Sequence, residues 1–139
     1  MFLRTLYFIL CYDVWFYISH VVLHSKNFWL IHKEHHTKTE PRFLDTYVGH
    51  WLETVFQSVG YFFPILFTNY TWTDAIVALC FLNVRGMMRH DDRCVPLIGN
   101  HHLLHHKHPN YNFGEYWMDT LCGTRYPIDQ EYRRGWLYL

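Results

Sequence analysis

The chain has no surplus of charge of either sign: twelve Lys and Arg offset twelve Asp and Glu. Without a basic excess it lacks the electrostatic footprint that a nucleic-acid partner requires. Cysteine is scarce. Cys11, Cys80, Cys94 and Cys122 lie far apart and form no CxxC pair, which argues against a zinc ribbon or a small disulfide scaffold. They read as reduced thiols facing apolar surroundings. No low-complexity tract occurs, and no internal repeat beyond one short histidine pattern. The N-terminal apolar run is not followed by a small-x-small cleavage site, which excludes a signal peptide.

What the chain has in abundance is histidine, twelve in 139 residues. Most fall into three clusters: His20/His24, His32/His35/His36 and His101/His102/His105/His106. As patterns these are HxxxH, HxxHH and HxxHH. Residues at i, i+3 and i+4 share a helix face, so each cluster can aim two or three imidazoles at one spot. Neutral imidazole is the commonest metal ligand. The clusters supply more donors than one tetrahedral zinc accepts and suit a pair of ions. Imidazole fits zinc, copper, iron and nickel, and the absence of thiolate among the clusters argues against iron–sulfur chemistry. Loose metal-chelating tails are also His-rich, but they lack fixed spacings and flanking apolar helices.

Half the residues are hydrophobic and 20% aromatic. Residues 2–19 form an apolar run interrupted by Arg4 and Asp13 and continued to His24. That length crosses a bilayer core at 1.5 Å per residue. A mid-bilayer acid costs about 2.5–3.5 kcal/mol on insertion scales, so Asp13 must face a neighbouring helix, snorkel or be protonated. Two further apolar stretches, 51–67 and 72–88, are each near the lower limit for a span. They read as a helical hairpin dipping into or across the membrane, with Pro64 near its turn; the alternative is a pair of buried helices in a soluble bundle, which the slightly negative mean hydropathy permits. Between the first two apolar stretches, Pro41 ends the helix expected to carry His32 to His36. Eleven of the twelve Lys and Arg lie in or beside the segments bearing histidine clusters, which puts that side in the cytoplasm. The expected fold class is therefore all-α: one domain over 1–139, a membrane helical bundle with a histidine-rich cap built from clusters at 20–36 and 90–108.

These motifs resemble the fatty acid hydroxylase and sterol desaturase superfamily of integral membrane oxidases. HxxxH, HxxHH, a membrane hairpin, a single or paired histidine and a final HxxHH follow that family's order over roughly residues 15–125. The run from His101 to Gly114 is similar to the family's last motif. Trp117-Met118-Asp119-Thr120-Leu121-Cys122-Gly123-Thr124 looks like its W-x-D-x-L-F-G-T ending, with Cys122 in place of Phe. The resemblance implies a cytosolic histidine cap, in the endoplasmic reticulum membrane, holding a dimetal centre. The centre is di-iron in the active enzyme, although zinc competes for imidazole sites on purification. Electrons come from NAD(P)H through a reductase and a cytochrome b5-type donor, and O2 is consumed to hydroxylate or desaturate a lipid C–H bond. By motif position the ligands are His20, His24, His32, His35, His36, His90, His102, His105 and His106. Gly86 stands where many members have the first histidine of an HxxxH middle motif. Either the chain uses one ligand fewer, or another histidine substitutes: His50, in a segment similar to the family's H-P-x-E with Trp51 for Pro, or His101. Among acids that could accept the second ring N–H of a ligand, Asp119 fits best by family position; Glu34, Asp91 and Asp92 are further candidates.

Family members are usually longer, with an extra pair of membrane helices before HxxxH. The chain is then a fragment, a minimal version, or a protein that completes its substrate tunnel as a homo-oligomer. Its expected activity is oxygen-dependent oxidation of a sterol, fatty acyl or sphingoid lipid; the alternative is a catalytically idle metal-binding relative of the same fold. A metal transporter places its ligands within spans near the midplane, whereas these clusters lie outside the apolar stretches.

Overall fold

The computed structural model describes residues 2–137, which are all-helical: no strand occurs among them. The frame is three long helices: α1 (Phe2–Leu23), α3 (Trp51–Phe62) and α4 (Trp72–Arg89), with the four-residue α2 (Trp29–His32) between the first two. Three short helices follow, α5 (Val95–Ile98), α6 (His101–Lys107) and α7 (Tyr116–Cys122).

The central element is α1. Phe8, Tyr12, Phe16, His20 and Leu23 bury one stripe at three- and four-residue spacing. On the other side Leu3, Leu6, Leu10, Val14, Ile18 and Val21 repeat the same spacing and are exposed. A helix apolar all round, with one apolar face uncovered, is not the pattern of a soluble surface helix. The outward faces of α3 (Trp51, Val55, Val59, Phe62) and α4 (Trp72, Ile76, Phe81, Val84) are likewise apolar and exposed. Among the described residues α1 alone is long and apolar enough to cross a membrane.

The hairpin arms pack on α1 rather than on each other. Against α3 the approach is close: a Cβ on Gly60 would sit 2.6 Å from Trp15 Cδ1, and the Trp15 indole donates to the Phe56 carbonyl at 3.0 Å. Tyr12 stacks on Tyr61 at 4.6 Å. Because α3 and α4 both lean on α1 and hardly touch one another, a gap remains between them beneath the histidine end. Pro64 falls in a 3-10 turn, Phe63–Leu66, that closes α3. Thr71 and Asp74 then form a reciprocal capping box that starts α4, and Arg4 reaches Asp74 at 3.3 Å.

Asp13 faces α4. Its carboxylate pairs with Arg85, which also lies 3.4 Å from Glu115, and Glu115 pairs with Arg89. All four groups are buried. The Arg89 guanidinium covers the Phe16 ring at 4.8 Å. This alternating chain of charges ties α1 and α4 to the start of α7 and leaves none of the four without an opposite charge.

Candidate metal centre

Five pieces of backbone deliver the histidines. The last turn of α1 carries His20, and His24 follows it. His32 ends α2. His35 and His36 sit on a separate 3-10 turn, His35–Thr37, so one α-helix does not run through His32–His36 as the sequence suggested. His90 caps the C-terminus of α4, and α6 presents His102, His105 and His106.

The nine imidazoles form two groups: His20, His24, His32, His36 and His105 in one, and His35, His90, His102 and His106 in the other. Within each, one ring nitrogen per residue lies within 4.8 Å of all the rest. Each HxxHH motif therefore feeds both groups rather than one spot. Consecutive helical residues point about 100° apart, so the adjacent histidines of a doublet diverge. The i, i+4 pairs His32/His36 and His102/His106 stay together, while His35 and His105 cross to the other group.

Histidines outside the nine have other partners. His50 is the N-cap of α3, its Nδ1 accepting from the Leu52 amide at 3.2 Å. His101 Nε2 donates to Asp119 Oδ2 at 3.0 Å. His108 stacks on Tyr126 at 4.2 Å. Neither His50 nor His101 fills the place that Gly86 leaves without a ligand. The second group closes with four donors.

Main-chain carbonyls set the tautomers. The Nδ1 atoms of His20, His35, His90, His105 and His106 face the carbonyls of Phe113, Val48, Gly86, Tyr111 and Lys38 at 2.5, 2.9, 2.7, 2.6 and 3.2 Å. A carbonyl only accepts, so Nδ1 carries the proton and Nε2 is a bare lone pair. Yet Nε2 of His35 and Nε2 of His90 are 3.1 Å apart, and His106 Nε2 is buried with no partner. Burial pushes the pKa of His35 down and that of His90 well down, the latter helped by the neighbouring imidazoles, so protonation does not resolve the clash. Lone pairs aimed at one another at this distance call for a cation between them. Metal–imidazole bonds of about 2.0–2.1 Å place adjacent nitrogens ~3 Å apart, the spacing seen at His20–His32, His36–His32, His24–His105 and His102–His90, 3.0 to 3.1 Å. The donor set fits two metal ions.

Burial holds the remaining imidazoles neutral, as ligation demands. His24 is pushed down to about 4 and His106 to about 3, in each case by desolvation first and by the neighbouring histidines second.

Asp119 is fully buried and accepts from the amides of Phe113 and Gly114, from the Thr124 hydroxyl and from His101, at 2.7 to 3.0 Å. It has no hydrogen bond to any of the nine imidazoles; it holds the Phe113–Gly114 peptide, whose carbonyl faces His20. Asn112 works beside it. Held at φ 59°, it donates to the His101 carbonyl and accepts from Tyr126 and Tyr132, so the carbonyls on either side of it point at His105 and His20. The carboxylates of Glu34, Asp91 and Asp92 make, among the described residues, no hydrogen bond or ion pair with the nine. Among the described residues, the carboxylate beside them is Glu53, whose Oε1 lies 2.9 Å from His32 Nδ1 without hydrogen-bond alignment. Sequence reading placed Glu53 in the segment similar to H-P-x-E but did not count it among the acids that could partner a ligand.

Below the second group lies a cavity of about 160 Å³ in the gap between α3 and α4. His35, His90, His102 and His20 form its upper wall, and Tyr12, Phe16 and Leu82 part of its apolar side.

The comparisons with known proteins agree with this geometry. The chain is similar to a Delta(7)-sterol 5(6)-desaturase of Eremothecium gossypii, 32% identical over 139 residues, covering 93% of this chain and 39% of that protein. It is similar also to a Delta(7)-sterol 5(6)-desaturase of Leptosphaeria maculans, 29% identical over 144 residues, covering 96% of this chain and 40% of that protein. The chain thus spans about two-fifths of the length of these relatives. No solved structure matches it significantly. The fatty acid hydroxylase family model matches residues 5–124, across both imidazole groups and the helices that carry them: the chain belongs to the fatty acid hydroxylase family.

Proposed function

We propose that the protein is a membrane-bound, oxygen-dependent lipid oxidase that hydroxylates or desaturates a sterol-like, fatty acyl or sphingoid C–H bond at a di-iron centre. One observation carries this reading: nine neutral imidazoles converge as two donor groups, with Nε2 lone pairs face to face, over a partly apolar cavity. The names of the relatives favour a ring lipid of the sterol type.

His20, His24, His32, His36 and His105 hold one ion, and His35, His90, His102 and His106 the other. Two irons, when bound, supply the redox chemistry by which O2, two electrons and two protons remove hydrogen from the lipid, leaving an alcohol and one water or an alkene and two waters. The protein's own part is positional. The five carbonyls fix the rings of His20, His35, His90, His105 and His106 so that Nε2 faces inward. Burial keeps water and protons off the donors. The cavity, with Tyr12, Phe16 and Leu82 on its wall, holds an apolar segment of substrate against the histidines.

The uncovered apolar faces of α1, α3 and α4 meet lipid, and the Asp13–Arg85 pair lets α1 carry an acid through it. The Lys and Arg distribution turns the histidine end to the cytosol, in the endoplasmic reticulum, where NAD(P)H, a reductase and a cytochrome b5-type protein deliver electrons.

Membranes containing the iron-loaded protein should consume oxygen when given a reductant and lipid, and lipid mass spectrometry of expressing cells should reveal an oxidised or desaturated product that His105→Ala abolishes. Full iron loading without any changed lipid, across sterol, fatty acyl and sphingoid classes, refutes the proposal.

A further inference from the structure

Two glycines on the long helices invite the same question and give opposite answers. At Gly60 a Cβ would strike Trp15 at 2.6 Å, so close packing accounts for the residue. At Gly86 no such reason exists. Its backbone is in the last turn of α4 and is not at positive φ, and a Cβ would meet only Thr46 Oγ1, at an ordinary 3.6 Å. A glycine inside a helix lowers its stability relative to alanine. What glycine secures here is empty space: residue 86 is on the cavity wall one turn before His90, whose Nδ1 its carbonyl holds at 2.7 Å.

The two imidazole groups meet that space unequally. Three of the four histidines in the smaller group, His35, His90 and His102, line the cavity, against His20 alone of the five in the larger. The smaller group also has one donor fewer, and the side missing a donor is the side where Gly86 leaves room.

We propose that Gly86 is an access and specificity residue, which keeps the four-imidazole site open to the cavity, so that substrate meets the ion held there while the five-imidazole site stays closed. The inference rests on the metal-centre reading above. It makes the width of the Gly86–Thr46 gap the limit on how bulky a group can approach the reacting ion.

The full chain, solubilised in detergent and loaded with cobalt, tests this with free imidazole and azide as probes, read by visible absorption alongside metal content and thermal unfolding. Imidazole, close in size to a small ring, should perturb the bands of one of the two ions in the parent protein. Gly86→Ala should keep that response and raise the melting temperature. Gly86→Leu should keep both cobalt ions and the response to azide, yet weaken imidazole binding at least tenfold. Thr46→Leu narrows the same gap from the facing wall and decides the matter if Gly86→Leu does not fold. Unchanged imidazole binding in these leucine variants, with two ions still bound, overturns the access role and leaves the metal-centre reading standing. A parent chain that binds no cobalt overturns both.

Discussion

Replacing Asp119 by alanine tests how the centre is held. The carboxylate accepts four hydrogen bonds and is fully buried. One of the donors recovers by itself, since the Thr124 hydroxyl rotates; His101 can shift its proton only to Nδ1, which is buried without a partner. The amides of Phe113 and Gly114 cannot move. A buried donor left unsatisfied costs about 1–3 kcal/mol, so the pair costs about 2–6 kcal/mol against a whole-domain stability of about 5–15 kcal/mol. The expected drop in melting temperature is on the order of 10 °C. Metal binding should weaken as well, and unevenly. The freed loop carries the Phe113 carbonyl that orients His20, so the five-imidazole site should lose about 10–100-fold in affinity, the usual effect of removing an outer partner. The four-imidazole site takes its carbonyls from Val48, Gly86 and Lys38 and should not change. Thermal unfolding of the metal-free protein and chelator competition on the loaded one measure the two effects. If Asp119→Ala melts within about 2 °C of the parent and gives up both ions at the parent's rate, the reasoning fails.

Glu53→Gln should weaken one ion and spare the other, because Glu53 lies beside His32 alone; chelation kinetics that turn from one phase to two would show it, and uniform kinetics would count against it. Asp13→Leu and Arg85→Met should each cost about 3–5 kcal/mol, since each strands a buried charge, while the double substitution recovers most of the loss; additive losses in a thermal double-mutant cycle would contradict the pairing. The metal-free protein should lose stability as pH falls below about 6.5, the ordinary histidine value. Burial depresses His24 to about 4 and His106 to about 3 in the folded chain, so between those values and 6.5 the unfolded chain binds more protons and acid favours unfolding. A melting temperature unchanged from pH 7 to pH 5 would refute the buried, neutral state of the clusters.

Eight of the nine converging histidines were legible as clusters because helical periodicity and metal chemistry act on residue identity, which a sequence displays; His90 was reached only through the family resemblance. What the periodicity misjudged was their destination. A doublet such as His35-His36 or His105-His106 looks like reinforcement of one site, but neighbouring positions on a helical turn diverge, and the fold uses that divergence to feed two imidazole groups with one motif. The partners of the rings were out of reach for a different reason. Five are main-chain carbonyls, and any residue type supplies a carbonyl. Asp119 was found by its motif, but its contacts were not, since it grips amides and His101 rather than one of the nine converging imidazoles. Asp13, which counts against a membrane span in the sequence, meets its counter-charge seventy-two residues away in Arg85, a pairing no local pattern encodes.

The cavity shows the same division between what local pattern and what packing decide. Two apolar stretches joined by a short connector suggest helices that cover one another. Here each finds a better partner in α1: α3 through Gly60 against Trp15, and α4 through Arg85 to Asp13 and Arg89 over Phe16. Two helices bound to the same third one along different faces diverge from each other, and the wedge between them opens toward the end of α1 where His20 sits. The buried charges that seem a liability for a lipid-facing bundle thus account for its empty space, because they hold α4 to α1 and not to α3. Exchanging that polar clamp for apolar side chains would leave α4 held to α1 through contacts such as Leu82 against Tyr12 and Phe16, and the gap in front of His90 and His102 should narrow even with every histidine intact.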